Sequence, residues 1–473
     1  MTETAQSLKM KAARGAGWSA ISSILLRLGS FIVGIVLARL LTPNEFGVYA
    51  VALTVQSILM TVADLGLSSD LIRSKEPERI APTIATLGLI SGACTAALTI
   101  ATSGFVAETL GSAEAAPAIS VLAFTLLLGG ISLVPYAMLV RRFQQRTLFL
   151  IGAVDFVVST VVTITLVLLG WGVMGLAVGR VAAQAVSSIL QFVLAGVRPR
   201  FGIDRSRLRP ILAFGLPIAG ANLLMWGLLS VDNIILARML GATALGFYVL
   251  AFNISNWPMN ALSQSVRAVS MPYFSHADNA ASGLVPIVGI GWAAALPAGA
   301  ILAVLSEPLI SVVYGEKWLP AAAVLAALGL HGAFRVLFDV FTGFLYARGR
   351  AQPVLWIQIV WLVCLVVAMV YGTSAFGIVG AGWAHVLVAA VIVLPVYALV
   401  VAQSGVSVRA MLRQCAWPTA ATLPAAAAAW LCTHYISDDV AALLLGGAAA
   451  GLIYGGLMWR WGRRELLRLK AGG

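Results

Sequence analysis

The chain has 473 residues, of which 60% are hydrophobic and only 10% charged, with a formal net charge of +12. One soluble core of that length cannot hide so large an apolar share, so its solvent must be partly lipid. The positive charge does not point to nucleic acid, because the basic residues are spread over many short loops.

Long apolar runs of about twenty residues fit helices, whereas barrel strands would alternate over roughly ten. The 46 glycines and abundant alanine let helices approach closely, as packing in a bilayer requires. The pattern predicts an all-α integral membrane fold of about 14 transmembrane helices. The predicted spans are 17–40, 46–68, 83–107, 116–140, 148–170, 174–196, 211–239, 246–266, 284–306, 320–346, 353–372, 376–402, 415–434 and 440–459.

The first sixteen residues are basic and polar. The run that follows is too long for a signal-peptide core and lacks a small-residue cleavage site, so it reads as a retained first span. Near its middle lies Arg27, with Ser19, Ser23, Ser30 and Gly34 around it at helical spacing. An arginine fork on a small, polar face suits phosphate or pyrophosphate. The other reading is an ion pair with an acid on another helix.

A short pattern closes span one and returns later. Leu37-Ala38-Arg39-Leu40-Leu41 precedes Gly47-Val48-Tyr49, and Leu236-Ala237-Arg238-Met239-Leu240 precedes Gly246-Phe247-Tyr248, each match offset by 199 residues. Such a repeat predicts two homologous bundles. The expected organisation is an N-lobe over 1–210 (spans one to six) and a C-lobe over 211–402 (spans seven to twelve), with 403–473 carrying two further spans and a basic tail. The basic loop 197–210 is the boundary between the lobes and reads as a solvated segment touching anionic lipid, with a cytoplasmic partner as the lesser reading.

Polar residues at membrane depth need a partner or a wet cavity. On span eight Asn253, Asn256, Asn260, Gln264 and Arg267 form one stripe. Shifted by 199 they fall on Thr54, Ser57, Thr61, Leu65 and Ser68 of span two, with Asp64 alongside. Carboxamides and hydroxyls suit sugar hydroxyls, so the stripes predict a shared hydrated cavity; interhelical hydrogen bonding is the competing account. Span ten carries His331, Arg335 and Asp339 on one face, either as a substrate-facing stripe or as an intrahelical pair. Asp155 and Arg180 can pair, and Asp64 and Asp155 are the acids to test for ion coupling. The four cysteines, Cys94, Cys364, Cys415 and Cys432, read as packing residues, without metal-ligand or disulfide spacing.

Taking the N-terminus as cytoplasmic places most arginines and lysines on inner loops and Glu45, Glu108, Glu114, Glu307, Glu316, Asp438 and Asp439 outside. That asymmetry predicts an even span count, both termini cytoplasmic. No phosphate-binding GxxxxGK[ST] loop, HExxH, Cys/His cluster or GxSxG elbow is present, and the outer loops are too short for a polymerase site. No cofactor is expected.

The stretch from Arg14-Gly15-Ala16-Gly17-Trp18 through Thr42-Pro43-Asn44-Glu45-Phe46 to Asp64-Leu65-Gly66-Leu67 resembles polysaccharide transporters of the multidrug/oligosaccharidyl-lipid/polysaccharide exporter superfamily. So does Phe214-Gly215-Leu216-Pro217 through Asp232-Asn233 to Arg238. The resemblance implies a cytoplasmic-membrane flippase for undecaprenyl-pyrophosphate-linked oligosaccharide, working by alternating access in surface polysaccharide assembly. It implies membrane lipid and a polysaccharide polymerase as neighbours, and Arg27 as the cavity arginine. A cation-coupled exporter of the same architecture is the alternative, and a membrane polymerase or ligase the rival from another class.

Overall fold

The computed structural model describes residues 26, 28–198, 200–276 and 280–471, without the side chains of 228, 265–282 and 466–471. Arg27 lies outside the described residues, as does the side chain of Arg267. The described chain is helical throughout, with no strand. Eleven described helical runs are long and apolar enough to cross a membrane. The chain is a multi-pass, all-α membrane protein.

It divides into two units, Met1–Gly246 and Phe247–Gly473. Unit 1 holds α1 (Leu28–Leu40), α2 (Pro43–Asp64), α3 (Leu67–Arg73), α4 (Pro77–Thr109), α5 (Ala116–Arg141), α6 (Gln145–Leu168), α7 (Gly172–Ala195) and α8 (Arg205–His276) as far as Gly246. A straight helix of 72 residues would run to roughly 108 Å, several times a bilayer core. The backbone breaks instead at Gly241 (φ 81°, ψ 178°), between predicted spans seven and eight.

The first repeat turn is a capping box. Thr42 Oγ1 accepts from Glu45 N at 3.3 Å, Thr42 N donates to the Glu45 carboxylate at 2.8 Å, and Pro43 holds the first helical position. Thr42→Ala removes one half of that exchange. It is expected to cost about 1 kcal/mol, seen as a lower unfolding midpoint followed by circular dichroism.

The second repeat turn packs on the first. Thr243 Oγ1 donates to Asn44 Oδ1 at 3.2 Å, a pair separated by 199 residues, the repeat offset itself. A Cβ on Gly47 would overlap the Ala242 carbonyl oxygen, and a Cβ on Gly246 the Pro43 carbonyl oxygen. The contact is therefore reciprocal: each copy's glycine lies against the other copy's turn. Arg238 donates to the Thr109 carbonyl beside it.

Small residues also let α4 and α5 meet. A Cβ on Gly88 would stand 2.8 Å from the Gly130 carbonyl oxygen. The helix of predicted span two stops at Asp64, where Leu65 and Gly66 are both left-handed (φ 48° and 68°). The short α3 then drops Leu67 and Leu71 into a core with Ile84, Leu133 and Ala137. Arg141 closes α3 by donating to the carbonyls of Ile72 (2.7 Å) and Ser74 (2.5 Å).

Unit 2 holds the rest of α8, then α9 (Ala280–Val304), α10 (Ser306–Tyr314), α11 (Ala321–Ala347), α12 (Ala351–Val388), a π segment Ala389–Val393, α13 (Leu394–Ala402), α14 (Val408–Tyr435) and α15 (Asp439–Ala471). The chain folds back at Gly377 (φ 62°, ψ −144°). A Cβ on Gly372 would be 2.7 Å from the Gly380 carbonyl oxygen, whereas eight residues of straight helix would separate the two by about 12 Å. α11 lies at the centre, its Val324, Leu325, Val336, Val340 and Phe344 fully buried. α14 and α15 join unit 2 through Leu305, Ala425, Ala429 and Ala450, and Tyr454 donates to the Ala293 carbonyl of α9 at 2.6 Å. All four cysteines are free.

Candidate functional site

Unit 1 holds a cavity of about 480 Å³ whose walls come from α2, α3, α5, α7 and the first part of α8. Helical spacing decides what α2 presents. Ser57, Thr61 and Asp64 follow one another at four and three residues, so they share a face of α2 and line the cavity, and Ser68 of α3, beyond the break, joins them there. Ser57 Oγ donates to Leu53 O at 2.8 Å and Thr61 Oγ1 to Ser57 O at 3.4 Å. Their protons are thus engaged with their own helix, and their lone pairs remain as acceptors. Ser68 Oγ donates to Asp64 Oδ2 at 3.0 Å.

Thr54 belongs to the same predicted stripe but not to the cavity. It is buried, donates to Ala50 O at 2.9 Å, and accepts from Asn233 Nδ2 of α8 at 3.1 Å. Its place is in helix packing.

The opposing polar wall is α7. Arg180, Gln184 and Gln191 all reach the cavity. Arg180 Nη1 pairs with Asp155 of α6 at 3.0 Å, and Ser187 Oγ donates to the second oxygen of Asp155 at 2.8 Å. Asp155 is therefore held between two partners, while Asp64 faces the cavity. Gln191 is 9% exposed, and its Oε1 has no hydrogen-bond partner. A buried carbonyl left so costs about 1–3 kcal/mol, which a donor entering the cavity would offset. Asn222 and Trp226 of α8 and Tyr136 of α5 complete the lining, adding a carboxamide and two aromatic faces.

Sequence spacing could have found this wall. Arg180, Gln184, Ser187 and Gln191 recur at the same intervals that mark a single helix face, as on span eight. Asn222 and Trp226 also stand one helical turn apart, whereas Gln56 lies off the α2 stripe; they enter because α8 and α2 turn them inward.

In unit 2 the residues of the span-eight stripe separate. Asn256 accepts a hydrogen bond from Arg335 Nη1 of α11. Asn260 is half-buried, and Asn253 and Gln264 are exposed. Nearby, His331 is buried with its ring 5.0 Å from that of His385, which meets Tyr248 Oη at 2.9 Å. Among the described residues no group of three or more His, Cys, Asp or Glu could hold a metal ion.

Known proteins match this chain over most of its length. The succinoglycan biosynthesis transport protein ExoT of Rhizobium meliloti (strain 1021) is 26% identical over 472 residues, 96% of this chain and 94% of that one. The lipopolysaccharide biosynthesis protein WzxC of Escherichia coli (strain K12) is 24% identical over 400 residues, covering 81% and 79%. Among solved structures, the lipid II flippase MurJ in an inward closed conformation superposes with a TM-score of 0.77 at 14% identity, over 94% of this chain and 99% of that one. That last likeness is one of fold. A model of the polysaccharide biosynthesis protein family matches residues 36–323, well over half of the sequence, and the chain belongs to that family.

Proposed function

We propose that the protein moves a lipid-linked oligosaccharide across the cytoplasmic membrane, exposing the unit 1 cavity to each face in turn. One observation carries the reading: a cavity walled by hydroxyls, carboxamides and two aromatic side chains lies among helices long enough to span a bilayer. Carboxamides and hydroxyls offer donors and acceptors to sugar hydroxyls, and indole and phenol faces offer a flat apolar surface to sugar rings. The arginine of this cavity is already paired with Asp155, so the sugar is the part of the substrate that fits here. Arg27 keeps the pyrophosphate on its sequence position alone. Asn253, Asn256, Asn260, Gln264, Arg267 and Arg335 are kept as substrate contacts of unit 2 on their sequence positions alone. Asp64 is the acid kept for ion coupling, because it opens on the cavity. The relatives' names support transport over catalysis, and the basic loops support cytoplasmic termini.

Gln191→Leu keeps the volume and removes the orphaned carbonyl. Translocation of lipid-linked oligosaccharide in reconstituted vesicles is expected to fall about tenfold, the worth of one or two buried hydrogen bonds. In a strain lacking the gene, unpolymerised lipid-linked units are expected on the inner leaflet. Accumulation on the outer leaflet would point to a polymerase or ligase and sink the transport reading.

A further inference from the structure

Unit 1 holds a second cavity, of about 350 Å³, that shares no lining residue with the first. It lies at helix ends. The first turns of α4, the last turns of α5 and α7, and the loop after α7 enclose it. Its lining is of two kinds. Arg142, Arg198 and Arg200 supply positive charge against the single acid Glu78, while Val134, Met138, Phe192 and Phe201 are apolar.

The loop that carries two of these arginines is tied down. Gly202 N donates to Thr86 Oγ1 at 3.0 Å, Thr86 Oγ1 donates to Gly202 O at 3.1 Å, and Asp204 N donates to Thr83 Oγ1 at 3.1 Å. Arg142 caps α7 by donating to Ala195 O at 2.8 Å. Two nearby acids are engaged elsewhere, with Glu76 pairing with Arg79 at 3.6 Å and Arg207 at 3.4 Å and Asp204 accepting from Ser206, so Glu78 is the one acid set against the three arginines of the lining. Among the described residues Arg198 and Arg200 have no ion-pair partner.

Two unpaired guanidinium groups above an apolar floor, at the end of membrane helices, fit an amphiphile with a phosphate head. The fork of an arginine matches phosphate oxygens, and a hydrocarbon chain can follow the helices away from the head. We propose that this cavity binds the phosphate head of an anionic membrane lipid through Arg198 and Arg200. The head can come from a bulk phospholipid or from a polyprenyl carrier, and the chemistry recognised is the same.

Native mass spectrometry of the full chain in detergent tests this, with dioleoyl phosphatidylglycerol, undecaprenyl phosphate, dioleoyl phosphatidylcholine and inorganic phosphate added separately. One or both anionic lipids are expected to be retained above phosphatidylcholine, and the better retained of the two names the source. At about fivefold per basic residue near a membrane surface, Arg198→Gln lowers retention about fivefold and the Arg198→Gln/Arg200→Gln double variant about thirtyfold. Arg409→Gln/Arg413→Gln, two exposed arginines on α14, leaves it unchanged. Both cavity arginines are exposed, so the variants fold, and an unchanged unfolding midpoint checks it. Equal retention of phosphatidylcholine, native-like retention by the double variant, or inorganic phosphate bound as well as lipid overturns the proposal.

Discussion

Gly47→Ala is expected to leave little folded protein, and Gly246→Ala the same. At both positions the added methyl meets a backbone carbonyl oxygen, of Ala242 in one case and Pro43 in the other. A side chain could rotate away; the Pro43 carbonyl cannot, because Pro43 opens α2 and its neighbours hold the capping box, and the Ala242 carbonyl is fixed in the backbone of α8. Overpacking of a well-packed core costs about 1–3 kcal/mol, and a backbone-to-backbone seam belongs at or above the upper end. The double variant should cost less than the sum of the singles, since either one already forces the two turns apart. Gly104 provides the control. Nothing lies within 4 Å of its Cβ position inside α4, so Gly104→Ala should be neutral or gain up to about 1 kcal/mol of helix propensity. Recovery of monodisperse protein and its unfolding midpoint in detergent measure all four variants. A Gly47→Ala protein that melts with the native chain would show that the seam is loose.

The repeat was legible because it is written in residues that geometry forces. Gly47 and Gly246 each permit a close approach, and that requirement survives in the letters, whereas the cap of Thr42, Pro43 and Glu45 has no counterpart in Gly241, Ala242 and Ala244. That the copies touch each other was not legible. The contact pairs Asn44 with Thr243, and nothing local to either turn names its partner. Ser57 and Thr61 of the α2 stripe line the unit 1 cavity with Asp64, but periodicity could not show that Thr54 one turn earlier faces Asn233. A stripe says which residues share a face and not what the face meets. The bond from Arg335 to Asn256 was hidden for the same reason: it joins residues 79 positions apart, and only the packing of α11 on α8 brings them together. The α7 wall, by contrast, is present in the spacing of Arg180, Gln184, Ser187 and Gln191, of which the pairing of Arg180 with Asp155 is only one member.

That pair supplies the second large effect, and it separates structure from transport. Arg180 and Asp155 are 32% and 25% exposed at 3.0 Å, with Arg180 on the cavity wall, and that exposure screens the pair in part. Breaking a fully buried pair costs about 3–5 kcal/mol by leaving one charge behind; partial exposure brings the expected loss for Arg180→Met to about 1–3 kcal/mol. Asp155→Leu should lose a similar amount, as it strands Arg180 and frees Ser187 Oγ together. Joining the two changes removes both charges, and a matched apolar pair in place of an ion pair is often neutral or better. Arg180→Met/Asp155→Leu should therefore recover most of the unfolding midpoint that either single variant loses. Transport should not recover with it. If the cavity holds the sugar as proposed, the wall of α7 would then present methionine to it where a guanidinium stood, beside Gln184 and Gln191. A double variant that melts like the native protein and also translocates oligosaccharide at the native rate would assign the pair to folding alone and leave the cavity without its charged wall.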